Sequence, residues 1–280
     1  MSNRFIILAW HSINVLDDSY AGNDLVAFGQ DLEQLDRMGW TVLPLGEALA
    51  LQASDRLPPR AAVLTLDDGA ITDFRAFDHP ICGMQLSAFE RLRRFAVARG
   101  PDSRHRAHAT SFVIASPDAR AELDRSDYMG LGVWPDDWWR EASETGLMAI
   151  ENHSWDHNHA SLARTLQRDN RRGDFRLIDT EAECRGEVDR ASDYIERVSG
   201  RRPRFFAYPY GQASDYLRGE YLPRFGPELG LDAALGCDPE PVTPASDRWF
   251  LPRYMCGRDW SSPNGLERLL SDAVPGRAVC

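Results

Sequence analysis

Hydrophobic and polar residues follow one another along this chain in blocks typical of a strand and then a helix. The first block, Phe5–Trp10, is a continuous apolar run of strand length. The apolar residues that follow recur at steps of three and four positions, as on one face of a helix: Leu25, Phe28, Leu32, Leu35 and Met38. The chain is therefore predicted to begin with a strand and an amphipathic helix.

The same alternation continues along the rest of the chain. Further strands are predicted over 62–66, 110–114, 147–150, 205–206 and 232–235, with the segment 138–145 leading into the third of them, and helices over 86–97 and 181–198. Strands that alternate with helices predict an α/β fold with a parallel sheet, either open or closed into a barrel. In both architectures ligands bind at the carboxyl ends of the strands, so residues directly after each strand are the first candidates for function.

The length and apolar content of the chain fit one domain. A chain of 280 residues with 43% hydrophobic residues can form a single substantial core, and we interpret residues 1–280 as one enzyme-sized domain. Residues 73–108 are long for a connection and contain the predicted helix 86–97. We interpret this segment as an insertion or a lid.

Composition and charge exclude several partners and chemistries. The net charge of -11 would repel nucleic-acid phosphates and anionic membranes. The strongly basic residues are all Arg, and without Lys the chain has neither Schiff-base chemistry nor a P-loop. The sequence shows no apolar run of membrane-spanning length and no signal-peptide pattern, so a cytoplasmic protein is expected.

The cysteines do not form a recognisable framework. There are five, scattered and without a CxxC pair: Cys82, Cys184, Cys237, Cys256 and Cys280. We expect neither a disulfide framework nor a cysteine zinc site. We expect buried, reduced thiols instead.

Two carboxylates and a glycine follow the predicted strand 62–66. Asp67-Asp68-Gly69 stands where a parallel sheet places its active site. Adjacent side chains point in different directions, so one carboxylate can bind a metal while the other faces the water that the metal activates. The triplet alone also fits an ordinary Asx turn or helix cap.

A second cluster follows the predicted strand 147–150. Within residues 153–157, His-Ser-Trp-Asp-His, the imidazoles of His153 and His157 are four positions apart, so both can reach one ion if the segment turns once. His159 and two neighbouring carboxylates add further ligand groups. Two His and one Asp leave open positions on a metal, as in catalytic sites. A pair of surface or core histidines is the alternative interpretation.

A third cluster ends the predicted strand 205–206 with a rigid aromatic turn, Ala-Tyr-Pro-Tyr-Gly at 207–211. Pro209 has no N–H but fixes a bend that would aim the N–H of Tyr210 into a cleft, where it could serve as an oxyanion donor. An aromatic core strand closed by a Pro-Tyr-Gly turn explains the same residues.

Taken in order, the three clusters resemble the first three motifs of the polysaccharide deacetylase family, the NodB-homology carbohydrate esterases. Trp-His-Ser-Ile at 10–13 resembles the early Tyr-His-x-Ile of that family. Ala-Thr-Ser-Phe-Val at 109–113 is similar to its Ala-Thr-x-Phe strand, and Leu-Pro-Arg at 251–253 to its late Leu-Pro-Arg. The likeness covers nearly the whole chain apart from 73–108.

The resemblance implies a deformed (β/α) barrel of about seven parallel strands and a metal-dependent hydrolase that removes N-acetyl groups from an amino-sugar glycan or its precursor. It implies Asp68, His153 and His157 as ligands of one divalent metal ion, zinc in the first place, with cobalt, nickel, iron or manganese as alternatives. Asp67 would be the general base and the N–H of Tyr210 an oxyanion donor.

Two positions depart from the family pattern. The third motif usually begins with an Arg that pairs with the base, and here the position is Ala207, as in the branch that acts on poly-N-acetylglucosamine. Arg253 or Arg258 could supply the missing charge. The late Leu-x-His that supplies the family's general acid is absent, because no His lies beyond His159.

Auxiliary residues are harder to assign. His11, His79 and His159 are candidates for the missing proton donor, and His11 is best placed because it ends the first strand, although each also fits a structural or surface role. Trp260 resembles the aromatic wall of the family's pocket, and the alternative for it is a core position. Pro209 and Arg253 are further auxiliary or substrate-binding candidates.

Three functions remain open at this point. The first is N-deacetylation of an N-acetylated glycan or a smaller amino sugar. The second keeps the metal site but hydrolyses a non-sugar amide, cyclic imide or ureide, as other members of the fold do. The third is a catalytically inactive relative that binds carbohydrate, against which the presence of all three metal ligands argues. The expected partner is a carbohydrate or small-molecule amide, and the sequence does not fix the oligomeric state.

Overall fold

The protein is built on one curled parallel sheet. The computed structural model describes residues 3–274. Its strands are β1 (Phe5–Trp10), β2 (Thr41–Val42), β3 (Ala61–Leu66), β4 (Phe77–His79), β5 (Gly83–Gln85), β6 (Ala109–Val113), β7 (Met148–Asn152), β8 (Phe205–Ala207), β9 (Ala233–Leu235) and β10 (Tyr254–Met255). Seven of them lie side by side in the order β10-β1-β3-β6-β7-β8-β9, and β2 pairs with the first residues of β3. The expected deformed barrel of about seven parallel strands is confirmed.

The two faces of the sheet are both covered, which explains why its strands are apolar along their whole length. Every residue of β1, β3 and β6 is buried. Leu8 and Leu64 face the outer layer of helices, whereas Ile7 and Val63 face the interior of the half-barrel, where Phe112 joins them. A parallel sheet buried on both faces gives continuous hydrophobic runs instead of alternation.

The helices pack around the outside of the sheet. They are α1 (Asp24–Arg37), α2 (Leu45–Ala53), α3 (Ala88–Arg99), α4 (Pro117–Asp127), α5 (Trp139–Glu144), α6 (Glu181–Cys184), α7 (Arg190–Ser199), α8 (Leu222–Phe225) and α9 (Pro263–Asp272). Helix α1 begins where the side chain of Asn23 accepts the N–H groups of Leu25 and Val26. It buries Phe28 and Leu32 against β1, as its periodicity predicts.

The helix predicted over 181–198 is interrupted. Between α6 and α7 the chain forms a π-helical turn over Arg185–Asp189, which is one turn wound more widely than an α-helix. Glu187 lies in this turn and is fully buried. Hydrophobic periodicity predicts the helix but does not show where it widens.

Several elements were not predicted because they are short or weakly apolar. Strand β10 has two residues and pairs with β1. Helix α4 buries only three residues, although Ser116 caps it and Pro117 occupies its first turn, a local signal that was available. Helix α9 buries Leu266 and Leu270 on one face.

The segment 73–108 contains two different structures. The strands β4 and β5 form a separate antiparallel hairpin outside the main sheet. Helix α3 packs against α1 and buries Leu92 and Phe95 in the main core. The helix is therefore part of the packed body, and the interpretation of 73–108 as an insertion or lid stays a prediction.

In the part of the chain that the structure describes, no helix has the length and apolarity needed to cross a bilayer. Cys184 is buried as expected for a reduced thiol, while Cys82, Cys237 and Cys256 are half-buried, and all four are free. Cys280 lies outside the described residues.

Candidate metal centre

The three sequence clusters lie at the carboxyl ends of neighbouring strands. Asp67 and Asp68 follow β3, residues 153–157 follow β7, and residues 207–211 close β8. In the sheet β6 separates β3 from β7, and β8 is the next strand beyond β7. Because parallel strands end at the same edge, loops that are far apart in sequence converge here.

Asp68, His153 and His157 come together as predicted. One ligand atom from each lies within 4.8 Å of the other two. Oδ1 of Asp68 is 3.6 Å from Nε2 of His153 and 3.7 Å from Nε2 of His157. These separations are close to the edge of a tetrahedron with metal–ligand distances of about 2.1 Å, which is about 3.4 Å. The donor set of two imidazole nitrogens and one carboxylate oxygen therefore fits a borderline divalent ion with open coordination positions.

The backbone is strained at the residues that form this centre. Four non-glycine residues here have left-handed φ angles: Asp68 at 74°, Ser154 at 71°, His157 at 63° and Tyr210 at 58°. Such angles cost about 1–3 kcal/mol each and persist where the surroundings enforce them, as they often do at functional sites. The next residue after Asp68, Gly69, has φ 72° and leaves no room for a Cβ against Val113.

Both histidines are held in positions that suit metal ligands. Nδ1 of His153 lies 2.8 Å from the carbonyl oxygen of Ala207, so this nitrogen carries a proton, and Nε2 faces Asp68. For His157, burial and then the charges of His153 and His159 lower the pKa well below its ordinary value. Its loop is fixed by a hydrogen bond from its own N–H to Oγ of Ser154.

Asp67 forms a buried ion pair with Arg253. The guanidinium donates from both terminal nitrogens, at 2.8 Å to Oδ1 and 3.0 Å to Oδ2. Burial acts to raise the pKa of Asp67, but the charge of Arg253, helped by His153, outweighs it and lowers that pKa to about 2. The guanidinium is itself placed by donating from Nε to the carbonyl oxygen of Gly236. Asp67 is therefore ionised throughout the neutral range.

Tyr210 and Pro209 lie on the other side of the histidines. The ring of Tyr210 packs edge-on against His157, with the ring centroids 4.5 Å apart, and 41% of the residue is exposed. Pro209 is buried and begins a short 3-10 turn that contains the left-handed Tyr210. The turn therefore forms an open edge of the centre.

Comparison with known proteins agrees with this arrangement. The model of the polysaccharide deacetylase family matches residues 103–222. The resemblance to that family is confirmed. The match includes the loops at 153–157 and 207–211, while Asp67 and Asp68 precede it.

Several solved structures share the fold of this chain over nearly its whole length. The deacetylase PplD of Streptococcus pyogenes is 17% identical with a TM-score of 0.64, and the match covers 95% of this chain and 98% of that one. IcaB from Ammonifex degensii is 18% identical with a TM-score of 0.63, covering 96% and 97%. A de-N-acetylase from Aggregatibacter actinomycetemcomitans is 17% identical with a TM-score of 0.63, covering 95% and 99%. None of the curated proteins matches this chain.

The structure distinguishes between the two arginines considered for the position where polysaccharide deacetylases usually carry Arg. Arg253 pairs with Asp67, whereas Arg258 pairs with its neighbour Asp259 and with the carbonyl of Cys237. Ala207 contributes its carbonyl oxygen to His153. The positive charge beside Asp67 thus comes from Arg253, directly before β10, and not from the third motif, where the residue is Ala207.

The three histidines considered as proton donors differ in their surroundings. The backbone N–H of His11 donates to Oδ2 of Asp24 at 2.9 Å, and His11 follows β1 as Asp67 follows the neighbouring β3, with Trp10 and Leu66 in register. Nδ1 of His79 accepts the N–H of Cys82 in the β4–β5 hairpin. Nδ1 of His159 accepts a local N–H as well, although its ring is 5.4 Å from that of His157.

Trp260 is not brought into an open cleft. It is 3% exposed, packs edge-on against Trp10 and donates its indole N–H to the buried Asp31. Its described contacts fit the core interpretation that the sequence left open. Whether it also contributes to a substrate pocket stays a prediction without support from these contacts.

Glu187 is a residue of the centre that sequence reasoning missed. Its Oε2 accepts the N–H groups of Trp155 and Asp156, at 3.0 Å and 3.2 Å, inside the loop between the two histidine ligands. Burial, followed by the charge and hydrogen bond of Asp156, raises the pKa of Glu187 well above its ordinary value. Burial and the neighbouring carboxylate therefore favour the protonated form of Glu187. No short motif in the sequence connects Glu187 to this loop.

Asp73 is a second residue that the sequence did not single out. It is fully buried and accepts hydrogen bonds from the hydroxyls of Ser12 at 2.5 Å and Ser111 at 2.6 Å. Burial, and to a smaller extent the charges of Asp68 and Asp67, raise its pKa to about 7 despite these bonds. Asp73 thus ties the residue after His11 to β6 beneath the centre.

Proposed function

We propose that this protein is a metal-dependent hydrolase that removes N-acetyl groups from an amino sugar, in a glycan or a glycan precursor. The observation that carries the proposal is the convergence of Asp68, His153 and His157 within 4.8 Å, beside an ionised Asp67. The polysaccharide deacetylase model that matches residues 103–222 supports the reaction class.

The three ligand residues fit a divalent ion, and we propose zinc because it prefers imidazole and carboxylate in tetrahedral sites. Such an ion acidifies water and polarises an amide carbonyl, which is the chemistry that the reaction needs from it. The lowered pKa of His157 supports this assignment, since a ligand imidazole must be neutral and offer a lone pair.

Asp67 then acts as the general base. Asp67 is not part of the proposed ligand triad, and Arg253 fixes the orientation of its carboxylate by donating to both oxygens. With a pKa of about 2 it is free of a proton at every neutral pH and can accept one from the attacking water. The proton it gains is shed readily afterwards because Arg253 stabilises the ionised form.

Tyr210 and His11 complete the proposal. The left-handed backbone at Tyr210 turns the chain at the edge of the centre, where its N–H would meet the carbonyl oxygen as that atom gains negative charge. His11 would protonate the leaving amine, because it alone of the three candidates directly follows a strand paired with β3, at the strand end next to Asp67. This takes the place of the late histidine that the chain lacks.

Metal binding and activity test the proposal together. The protein with zinc, cobalt, nickel, iron or manganese is incubated with N-acetylated glycans, glycan precursors, N-acetylglucosamine and cyclic imides, and acetate release or ring opening is measured. Release of acetate from amino sugars is expected. Ring opening of imides alone would establish the second reading, in which the same site acts on a non-sugar substrate.

The ligand assignment has its own measurement and control. Asp68→Ala and His153→Ala should each abolish binding of about one divalent ion per chain, together with activity, as measured by elemental analysis and by titration. His159→Ala is the matched control, because its ring lies beside His157 without belonging to the triad, and it should keep the metal. Retention of the ion by Asp68→Ala would refute the assignment. Metal and sugar binding without any turnover would mark a carbohydrate-binding relative.

A further inference from the structure

Buried polar side chains connect the turn that carries His11 with the loop that carries Asp68. Asp73 is fully buried, and its carboxyl group accepts the hydroxyl of Ser12 at Oδ1 (2.5 Å) and the hydroxyl of Ser111 at Oδ2 (2.6 Å). Ser12 directly follows His11, and Asp73 ends the short 3-10 turn that comes after Asp68. One carboxyl group therefore joins three elements: the end of β1, the loop after β3, and β6.

His11 lies beside Asp67 at the carboxyl edge of the sheet. Trp10 and Leu66 are in register on β1 and β3, and the N–H of Asp67 donates to the carbonyl oxygen of Trp10 at 3.0 Å. Trp10 and Leu66 both face the outer layer of helices, and side chains alternate along a strand, so the next residue of each strand faces the interior of the half-barrel. Arg253 holds Asp67 on that interior side. The backbone thus directs His11 and the proposed base to the same side of the sheet.

The turn that follows β1 is fixed from two sides. The N–H of Asn14 donates to the carbonyl oxygen of His11 at 2.9 Å and closes the turn. On one side, the carboxylate of Asp24 accepts the backbone N–H of His11 and the side-chain amide of Asn14. On the other side, Ser12 donates to Asp73. Asp24 fixes the turn to the start of α1, whereas Asp73 fixes it to the loop after β3.

The hydroxyl hydrogen bonds of this network run in one direction. Above its pKa of about 7, the carboxylate of Asp73 is an acceptor only. Ser12 gives its single hydroxyl proton to Asp73, so the hydroxyl of Thr72, 2.7 Å from that of Ser12, must donate to Ser12. An amide in place of the carboxylate accepts at its oxygen but not at its nitrogen. Asp73→Asn therefore cannot keep both hydroxyl bonds in their present direction.

We propose that Asp73 is a positioning residue for the reaction, which through Ser12 holds His11 at a fixed place relative to the ligand Asp68. The inference rests on the proposed function, in which His11 protonates the leaving amine. Ser111 donates to the other oxygen of Asp73 from β6, so its loss leaves the bond between Ser12 and Asp73 in place. The two serines therefore separate a role in positioning from a role in stability.

The test compares Ser12→Ala with Ser111→Ala in the metal-loaded protein, at a pH above the pKa of Asp73. Acetate release from N-acetylated chitin oligomers is compared with hydrolysis of p-nitrophenyl acetate, whose leaving group needs no protonation. Ser12→Ala should lower kcat for the amide by about 10–100-fold with KM little changed, because a shift of about 1 Å at a reacting group costs up to about 10²-fold. Its effect on the ester should be about tenfold smaller, since the ester does not depend on a general acid. Ser111→Ala should lower neither rate by more than about threefold, because the turn of His11 keeps its bond to Asp73.

A variant without the proton donor gives the decisive comparison. His11→Ala should lower kcat for the amide by about 10²–10⁴ and affect the ester far less, as loss of a general acid does. Ser12→Ala added to His11→Ala should cost nothing further, because no proton donor is left to position. Asp73→Asn should repeat the pattern of Ser12→Ala. Urea unfolding of each variant measures stability separately, and the two serine variants should lose similar amounts.

Two outcomes would overturn the inference while leaving the proposed function intact. Equal losses for Ser12→Ala and Ser111→Ala on both substrates would show that the network only stabilises the fold. A full further loss when Ser12→Ala is added to His11→Ala would show that Ser12 does not act through His11. If Asp73→Asn does not fold, the two serine variants decide the question without it.

A different result would refute the proposed function itself, namely no acetate release from any amide by the metal-loaded wild type. The positioning of His11 is then measured without turnover, from the NMR signals of its ring, which comparison with His11→Ala identifies. These signals should shift in Ser12→Ala and in Asp73→Asn, and should stay in place in Ser111→Ala. Ring signals that do not move in Ser12→Ala would overturn the inference.

Discussion

Two buried carboxyl groups support the two halves of the candidate centre, and they do so in opposite states of charge. Asp67 meets a guanidinium and is ionised, with a pKa lowered to about 2. Glu187 meets another carboxyl group, that of Asp156, and its pKa is raised so that it keeps a proton. The first pair fixes the charge that we propose as the general base, and the second fixes the backbone of the loop that carries the histidines.

The difference shows how the same kind of residue serves two purposes. A bidentate pair with Arg supplies geometry and charge but leaves an unpaired charge if either partner is removed. A protonated carboxyl is an uncharged group that both donates and accepts, so an amide can replace it. The two supports should therefore respond differently to conservative substitution.

The largest effect is expected for Arg253→Ala. Without the guanidinium, burial raises the pKa of Asp67, so the base is protonated at neutral pH and kcat/KM falls by about 10²–10⁴. Loss of one partner of a buried ion pair should also lower the free energy of unfolding by about 3–5 kcal/mol. Kinetics and urea unfolding measure the two effects. Arg258→Ala, which removes an arginine whose pair with Asp259 is exposed, should change neither by much.

Asp67→Asn should have the next largest effect and separates charge from metal binding. The variant should keep about one divalent ion per chain, because Asp67 is not in the ligand triad, and lose about 10²–10⁴ in kcat. Metal titration and kcat are measured on the same preparation. Loss of the ion along with activity would mean that Asp67 is itself a ligand and that the division of roles between the two aspartates is wrong.

Glu187→Ala should weaken metal binding by about 10–100-fold, as removal of groups that orient ligands does. The reason is that the N–H groups of Trp155 and Asp156 lose their acceptor within the loop. Glu187→Gln should stay close to wild type, because the amide accepts the same N–H groups and donates as the protonated acid does. Competition with a chelator gives the affinities. Equal weakening in both variants would contradict a neutral Glu187.

The smallest effect is a difference in the acid stability of the metal-free protein. Because the pKa of Asp67 is lowered from 3.8 to about 2 in the folded state, its contribution is present above about pH 4 and is lost as the pH falls toward 2. The wild type should lose roughly 2 kcal/mol more than Asp67→Asn over that interval. Urea unfolding at several pH values checks this, and parallel pH curves for the two proteins would show that Arg253 does not depress the pKa of Asp67.

The parts of the fold that the sequence predicts are those with a strong local pattern. Strands such as β1 and β3 are buried on both faces and read as apolar runs, and α1 shows a clear helical period. Strand β10 could not be predicted, because two residues carry no period and its place depends on pairing with β1. The π turn was hidden for a similar reason, since its width is set by packing and not by composition.

The residues of the candidate site likewise fall into those that the sequence could predict and those that it could not. Asp68, His153 and His157 follow strand ends, so topology alone places them together, and the family resemblance gives them roles. The sequence offered Arg253 and Arg258 as partners of Asp67. It could not decide between them, because the answer depends on where β10, which follows Arg253, joins the sheet. Glu187 was out of reach, since no short motif connects it to a loop about thirty residues earlier.

The π turn at Arg185–Asp189 limits which insertions and deletions this helix can tolerate. An α-helix rotates by about 100° per residue, so the extra residue lets Glu187 face the loop while Ile195, further along, still faces the core. Deleting any one residue of the turn would restore regular winding and swing one of these two side chains away from its partner. Loss of the extra residue would therefore change two things at once: the contact of Glu187 with the histidine loop and the orientation of the helix residues that follow the turn.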